Sequence, residues 1–346
     1  MMTLSLTCTG NIIKEYLNEY NISQKELSQR TGYSEKHISN VLSGKSRLTE
    51  EFAIKLEKII PGISASYWLN YEMKYRAQIA RNEEKYKLKN LDLSSISKKF
   101  HFKEVFNGLN MSIQDQAIEM LKLLQISAFS QFSSVYGDLK MDFMEDGGEK
   151  EAIAIWVNMC REEVEIQNCN VAEYNEQILR DNLYKFKILA SNHDTDRSIQ
   201  SCRKLCNKLG INLVLVEAIT NSKVRGALTT YKNNPAIYLS GRFKTHDNIW
   251  FAFMHEIGHL LYHYKSEKII ISYEDESLGK EEEANEFARN FFIDNERYNN
   301  FIKLNCITEQ SIREFANQEK VTPGIVVARL QHDKKLSYDQ FNYLKK

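Results

Sequence analysis

Between Asn11 and Ile60 the apolar positions recur at helical spacing in four short runs separated by turn residues. In NIIKEYLNEY, the residues Ile12, Ile13, Tyr16, Leu17 and Tyr20 form one stripe. Ser23 precedes the next run and has Glu26 three residues on, which predicts a capping box, and Gly32 is placed to stop that helix. A third helix is expected from Ser34 to Gly44, and a fourth opens after Thr49 and closes at Pro61-Gly62. A longer fifth helix runs from Ser64 and becomes highly charged towards Lys89, so a domain boundary is expected near residue 90.

The helical pattern continues over residues 91–190, in MSIQDQAIEMLKLLQI, EAIAIWVNMCREEVEI and VAEYNEQILRDNLYKFKILA, without any grouping of reactive side chains. This stretch reads as a helical connector or dimer-forming region. After SNHDTDRS the period changes. A helix leads into INLVLVEAI, then GALTTYK and PAIYLSG, which predict two or three short strands in a small mixed sheet beside helices. The chain returns to helix in TEQSIREFANQEK, TPGIVVARLQHDKK and SYDQFNYLKK. The expected fold class is mainly α with a small α+β part: a five-helix domain over 1–90, a helical middle over 91–190, and a third region over 191–346 holding the sheet.

Charge changes this picture at one end. The whole chain balances 46 Lys and Arg against 46 Asp and Glu, yet residues 1–90 hold 14 against 10, so the N-terminal part is better suited to a polyanion. Cys8, Cys160, Cys169, Cys202, Cys206 and Cys306 are irregularly spaced in a chain too long to need disulfide staples, which favours reduced thiols in a cytoplasmic protein. The opening MMTLSLTCTGN lacks the basic start and apolar core of a signal peptide, and no uncharged apolar run reaches the roughly 18 residues of a membrane span. The i, i+4 pair Cys202 and Cys206 has no second pair to complete a metal site and reads as packing, as do Trp156 and Trp250.

The candidate chemistry lies in FMHEIGHLLYH, residues 253–263. On a helix, His255 and His259 share a face and can aim two imidazoles at one ion, while Glu256 is placed to act as a general base towards a water molecule. Phe253, Met254, Ile257, Leu260 and Leu261 predict that this helix is buried. The pattern favours zinc, which at a catalytic site takes three protein ligands and keeps one position open. The lengthened form of the motif needs glycine at position 262 and histidine at 265, where the chain has Tyr262 and Lys265. A third ligand must therefore come from elsewhere, and GKEEEANEFARNFFI offers it. Its apolar face, Ala284, Phe287, Ala288, Phe291 and Phe292, turns Glu282 and Glu286 to solvent and leaves Glu281 and Glu283 at its borders. Periodicity does not choose between those two. The acidic stretch YEDESLGKEEE just before this helix reads as a solvated loop near the cleft.

HEIGHLL followed by EEEANEFA, and preceded by VRGALTTYKNNPAIYLSGRFKTHDNIWFAFM, resembles the ImmA/IrrE family of metallopeptidases over roughly residues 195–295. The resemblance implies a zincin-like domain whose third zinc ligand is the glutamate directly before the alanine, Glu283 here. It also implies peptide-bond hydrolysis, with Glu256 activating a water and passing its proton to the leaving amine. Arg225, Tyr231, His246 and His263 are polar groups near the motif that could steady an oxyanion, and His263, one turn past His259, could instead hydrogen-bond a ligand from behind.

In the first domain, QKELSQRTG, the turn at Gly32-Tyr33 and the following helix meet the needs of a helix-turn-helix. Ser34, Glu35, Lys36 and His37, with Asn40, would then face the major groove, and Lys36, Lys45, Arg47 and Gln24 would meet phosphates. The run from Asn21 to Asn70, including Trp68, resembles the XRE-type DNA-binding domain of the HigA antitoxin group. TPGIVVARLQHDKKLSYDQFN resembles the tail of longer members that carry an ImmA/IrrE peptidase. The resemblance implies double-stranded operator DNA read by a homodimer, since one chain has one copy of the module. It also implies a protein partner, either a repressor as substrate or a cognate toxin. A non-catalytic antitoxin or repressor, using the peptidase-like domain as a toxin-binding or signal-sensing platform, is the competing expectation.

Overall fold

Four hydroxyl caps divide the first ninety residues into helices. Ser23, Ser34, Thr49 and Ser64 accept hydrogen bonds from the backbone N–H groups of Glu26, His37, Phe52 and Tyr67 at 3.1, 3.2, 3.2 and 3.3 Å. Each satisfies a donor that the start of a helix leaves without an intrahelical partner. The computed structural model describes residues 7–137, 148–167, 171–241, 245–265, 269–273, 279–303 and 307–345. These fall into two compact units, Met1–Leu93 and Ser94–Lys346.

In the first unit the helices are α1 (Thr9–Glu19), α2 (Gln24–Thr31), α3 (Glu35–Leu42), α4 (Glu50–Ile59) and α5 (Ala65–Lys89). Gly32 ends α2 at a φ of 75°, a conformation open to glycine at little cost. The capping box expected at Ser23 forms by half. Glu26 reaches forward to Arg30 at 2.5 Å, an i, i+4 ion pair that competes with the backward reach to Ser23. Ile13, Leu27, Ile38, Phe52, Leu56 and Trp68 are fully buried and make one core. Glu72 is 3% exposed at that core, accepting from Thr9 Oγ1, from Leu48 N at 3.3 Å and from Arg76 Nε at 2.7 Å. Arg76 in turn donates to the carbonyls of Gly44 and Ser46 at 3.3 and 3.2 Å, so α5 fixes the loop that follows α3.

The second unit begins with short helices, α6 (Leu93–Lys99, starting at the boundary), α7 (Phe102–Val105), α8 (Ile113–Leu123) and α9 (Phe132–Tyr136). Longer ones follow, α10 (Lys150–Gln167), α11 (Glu176–Ala190) and α12 (Thr195–Lys208). Then come β1 (Asn212–Val216), β2 (Val224–Tyr231), β3 (Asn234–Ser240), α13 (His246–Tyr262), β4 (Ile270–Tyr273) and α14 (Lys280–Phe292). The chain closes with α15 (Asn295–Lys303), α16 (Glu309–Glu319) and α17 (Pro323–His332). The sheet is mixed, in the order β1-β3-β2-β4, with β1 parallel to β3 and the other pairs antiparallel. Lys232 and Asn233, both at positive φ, make the two-residue turn that lets β2 fold back on β3.

Of residues 91–190, expected as a helical connector or dimer-forming region, 94–190 lie in the same compact unit as the sheet. The Trp156 indole on α10 donates to the Val216 carbonyl at 3.1 Å, and Phe186 on α11 packs against Phe253 on α13 with ring centroids 5.0 Å apart. The core around α13 includes Trp250, Phe253, Met254 and Ile257 with Ala288 and Phe292 of α14 and Val326 and Leu330 of α17. Cys202 and Cys206 are wholly buried there, and burial pushes the Cys202 thiol well above its ordinary range, which keeps it protonated and inert. Cys169 and Cys306 lie outside the described residues. Among the described residues no helix is long and apolar enough to cross a membrane.

Candidate functional site

The helix α13 carries His255 and His259 one turn apart, so both rings leave the same face. Their Nε2 atoms are 3.0 Å apart, and Glu281 at the start of α14 closes a triangle, with Oε2 3.0 Å from His255 Nε2 and Oε1 2.8 Å from His259 Nε2. These three residues are buried and could hold a metal ion, their ligating atoms all lying within 4.8 Å of one another. Close packing of the two helices makes this possible. A Cβ on Gly258 would stand 3.1 Å from the Ala284 Cα and 3.2 Å from Phe287 Cδ1, so a larger residue at either position would push α14 and its glutamate away.

Glu283, expected as the third ligand, is not in the triangle. Two residues past Glu281 it lies about 200° round the helix, its side chain is 67% exposed, and it takes His263 Nε2 at 2.8 Å. Among the described residues it is Glu281, not Glu283, that joins His255 and His259 in a group able to hold a metal ion. Glu283 and His263 act behind the site instead. A carboxylate accepts, so His263 Nε2 is the donor to Glu283, which leaves Nδ1 to accept from His259 Nδ1, 3.0 Å away. With its proton on Nδ1, His259 turns a bare Nε2 towards the triangle. Asn285, one turn after Glu281, does the same for His255, its Oδ1 lying 3.0 Å from His255 Nδ1.

Glu256 lies against the sheet, within electrostatic reach of His259 and Glu281. It is wholly buried, and Gly226 on β2 is what makes room for it, since a Cβ there would sit 2.4 Å from Oε1. Neither carboxylate oxygen has a hydrogen-bond partner among the described residues. Burial pushes its pKa up to about 7, against the opposing pull of His259, the nearby Ser272 and Arg225. Glu281 behaves oppositely. Burial would raise it, but the hydrogen bonds and charges of His255 and His259 outweigh that and hold it at about 2. Burial also lowers His255, which keeps the ring neutral as a metal ligand must be.

In the N-terminal unit, Ser34, Glu35 and Lys36 at the start of α3 are exposed, as are Gln24, Lys45 and Arg47, while Asn40 is half-buried. The Ser34 hydroxyl is occupied as a cap. His37 departs from the expected groove-facing position. Its ring stacks on Tyr33 at 4.6 Å and lies 6.1 Å from Phe52 of α4, with Nε2 buried.

Residues 13–68 match the helix-turn-helix family, and residues 206–332 match the IrrE N-terminal-like domain of the M78 peptidase family. The chain joins a helix-turn-helix domain to an IrrE-like peptidase domain. It is also 41% identical over 63 residues to an uncharacterized HTH-type transcriptional regulator, YddM, of Escherichia coli (strain K12). That similarity covers 18% of this chain and 66% of the regulator. Of the polar residues expected near the chemistry of the peptidase domain, Arg225 and His263 are close to it. The Arg225 guanidinium lies 5.7 Å over the Phe251 ring, and its charge acts on both His255 and Glu256. His246 begins α13, about 13 Å along the axis from His255, and packs on Trp250. Tyr231 ends β2 beneath the Lys232 ammonium. Of the acidic stretch before α14, residues 274–278 lie outside the described residues. Sequence reasoning missed Asn285 and Glu72. Each had a signal, Asn285 four residues after Glu281 and Glu72 four after the buried Trp68.

Proposed function

We propose that this chain is a cytoplasmic transcriptional regulator, a HigA-like antitoxin or repressor, that binds operator DNA and hydrolyses a peptide bond in a partner regulator with a zinc-dependent endopeptidase site. The observation that carries the enzymatic half is the convergence of His255, His259 and Glu281 beside a wholly buried Glu256 that no hydrogen bond satisfies. The donor set fits zinc, two neutral imidazole nitrogens and one carboxylate, with the second nitrogen of each ring already engaged. When bound, zinc supplies Lewis-acid polarisation of the peptide carbonyl and makes a water more acidic. Glu256 takes the proton of the attacking water and delivers it to the leaving amine nitrogen, and a pKa of about 7 suits both halves of that task. Burial of the site keeps bulk water from competing for the same carboxylate.

The exposed start of α3, with Lys36 at its first turn and Lys45 and Arg47 on the loop after it, supports DNA binding, as does the similarity to an HTH-type transcriptional regulator. One module per chain is suited to half of a two-fold operator, so we assign a homodimer. The protein partner is a repressor as substrate or a cognate toxin. The test is digestion of purified candidate repressors by zinc-loaded wild type and Glu256→Gln, with fragments identified by mass spectrometry. New termini that appear with wild type and not with the variant support the peptidase. Indistinguishable digests overturn it and leave the domain as a binding platform.

A further inference from the structure

A cavity of about 630 Å³ opens between α13, α14 and α17 in the peptidase domain. It begins at Asn285, the residue that holds His255, and runs back along the helices towards the start of α13. Its wall is unlike the rest of an electrically balanced chain. Five cations line it, Arg225, Arg289, Arg329, Lys334 and Lys345, against two acids, Glu282, which pairs with Arg289, and Asp247, which faces Lys345. Between them lie Phe251, Phe292 and Ile325, which suit the aliphatic stem of a side chain.

Two of the polar groups are incompletely satisfied. Arg329 pairs with Asp333 through Nε at 2.7 Å, but its Nη1 is buried with no acceptor among the described residues. Asp247 is 3% exposed, with no hydrogen bond to either oxygen among those residues and Lys345 Nζ 3.6 Å away. A buried polar group without a partner costs free energy that an occupant can recover. The occupant that answers both carries an acceptor for Arg329 and a donor for Asp247, and the surplus of cations selects an anionic acceptor. An acidic residue within a peptide has both, a side-chain carboxylate and backbone N–H groups.

We propose that this cavity is the subsite in which the peptidase domain receives an acidic side chain of its peptide substrate. The proposal deepens the peptidase reading and rests on it for the word substrate, but binding at the cavity needs neither metal nor Glu256. The test uses full-length Glu256→Gln protein, stripped of metal and separately loaded with zinc. Its probes are degenerate, end-blocked, fluorescein-labelled octapeptide pools that differ only in whether the fifth position is Glu, Gln or Lys, read by fluorescence anisotropy. The Glu pool binds at least fivefold tighter than the Gln pool, and the Lys pool binds weakest. Arg289→Gln at the wall and Lys334→Glu at the exposed rim each bring the Glu and Gln pools to within twofold, with thermal unfolding midpoints close to that of the parent.

Equal binding of the three pools overturns the proposal. So does a preference that survives both substitutions, or inorganic phosphate displacing the Glu pool as effectively as unlabelled peptide does, which would make the cavity a site for free anions. A preference for Glu without cleavage by wild type would keep the subsite and remove the peptidase. Cleavage without the preference would do the reverse.

Discussion

Replacing Gly226 by alanine separates the proton-transferring group from the metal-holding ones. The new Cβ would stand 2.4 Å from Glu256 Oε1 and 2.9 Å from its Cδ, where ordinary contact begins at 3.4 Å. The carboxylate must therefore retreat by about 1 Å, and it is wholly buried between β2 and the packed helix α13, with little room to turn. A misplacement of about 1 Å at a reacting group costs on the order of 100-fold in rate, or about 2.7 kcal/mol of barrier. Overpacking adds a stability loss of about 1–3 kcal/mol. The three atoms nearest that Cβ all belong to Glu256, so the metal is expected to stay. The assay pairs kcat/KM on a quenched-fluorescence peptide containing the cleaved sequence with metal content by mass spectrometry. Activity within threefold of wild type, or loss of metal in step with activity, would refute the reasoning that Gly226 exists to seat Glu256.

The Glu283→Gln variant keeps one zinc per chain but weakens its affinity by about 10- to 100-fold, because His259 loses the carboxylate that orders its partner His263. Competition against a chelator measures it, and unchanged affinity would disconnect that chain of hydrogen bonds. His246 gives an acid-sensitive limb to stability. Burial holds its pKa at about 4 against 6.5 when unfolded, so the unfolded chain takes up the proton first and stability falls as pH drops from 6.5 towards 4. The loss reaches about 3 kcal/mol, and urea unfolding of metal-free His246→Asn should show a flatter limb than wild type over that window; parallel limbs would contradict the assignment. In the helix-turn-helix domain, Lys36→Ala with Asn40→Ala weakens operator binding and lowers the salt dependence by about one ion. Undiminished binding by that double variant would move the reading surface off α3.

The first domain was legible because its signals are local. Ser23, Ser34, Thr49 and Ser64 cap where their spacing to the apolar runs said they would. His255, Glu256 and His259 were legible for the same reason, since one turn of helix decides their relation. The third ligand was not. Glu281 and Glu283 both border the apolar face of α14, and the choice between them is made by how closely α14 approaches α13 at Gly258 and Ala284, a tertiary fact that no periodicity carries. The same limit hid the partner of the middle helices, whose apolar faces announced burial without saying that β1 was what Trp156 would meet. The fourth strand, Ile270–Tyr273, is four residues long, too short for alternation to reveal, and follows the motif helix to pair with β2. The placement of His37 was not legible either, since its neighbours Tyr33 and Phe52 offer an aromatic surface that a polar ring at the start of α3 covers.

Metal content of the purified protein tests the central claim most directly, measured in wild type, Glu281→Ala and Glu283→Ala prepared identically without added zinc and dialysed together. Wild type and Glu283→Ala should each carry close to one zinc per chain, with Glu281→Ala nearly empty while still folded by circular dichroism. An empty wild type, or zinc lost from Glu283→Ala and kept by Glu281→Ala, would contradict the site described for His255, His259 and Glu281.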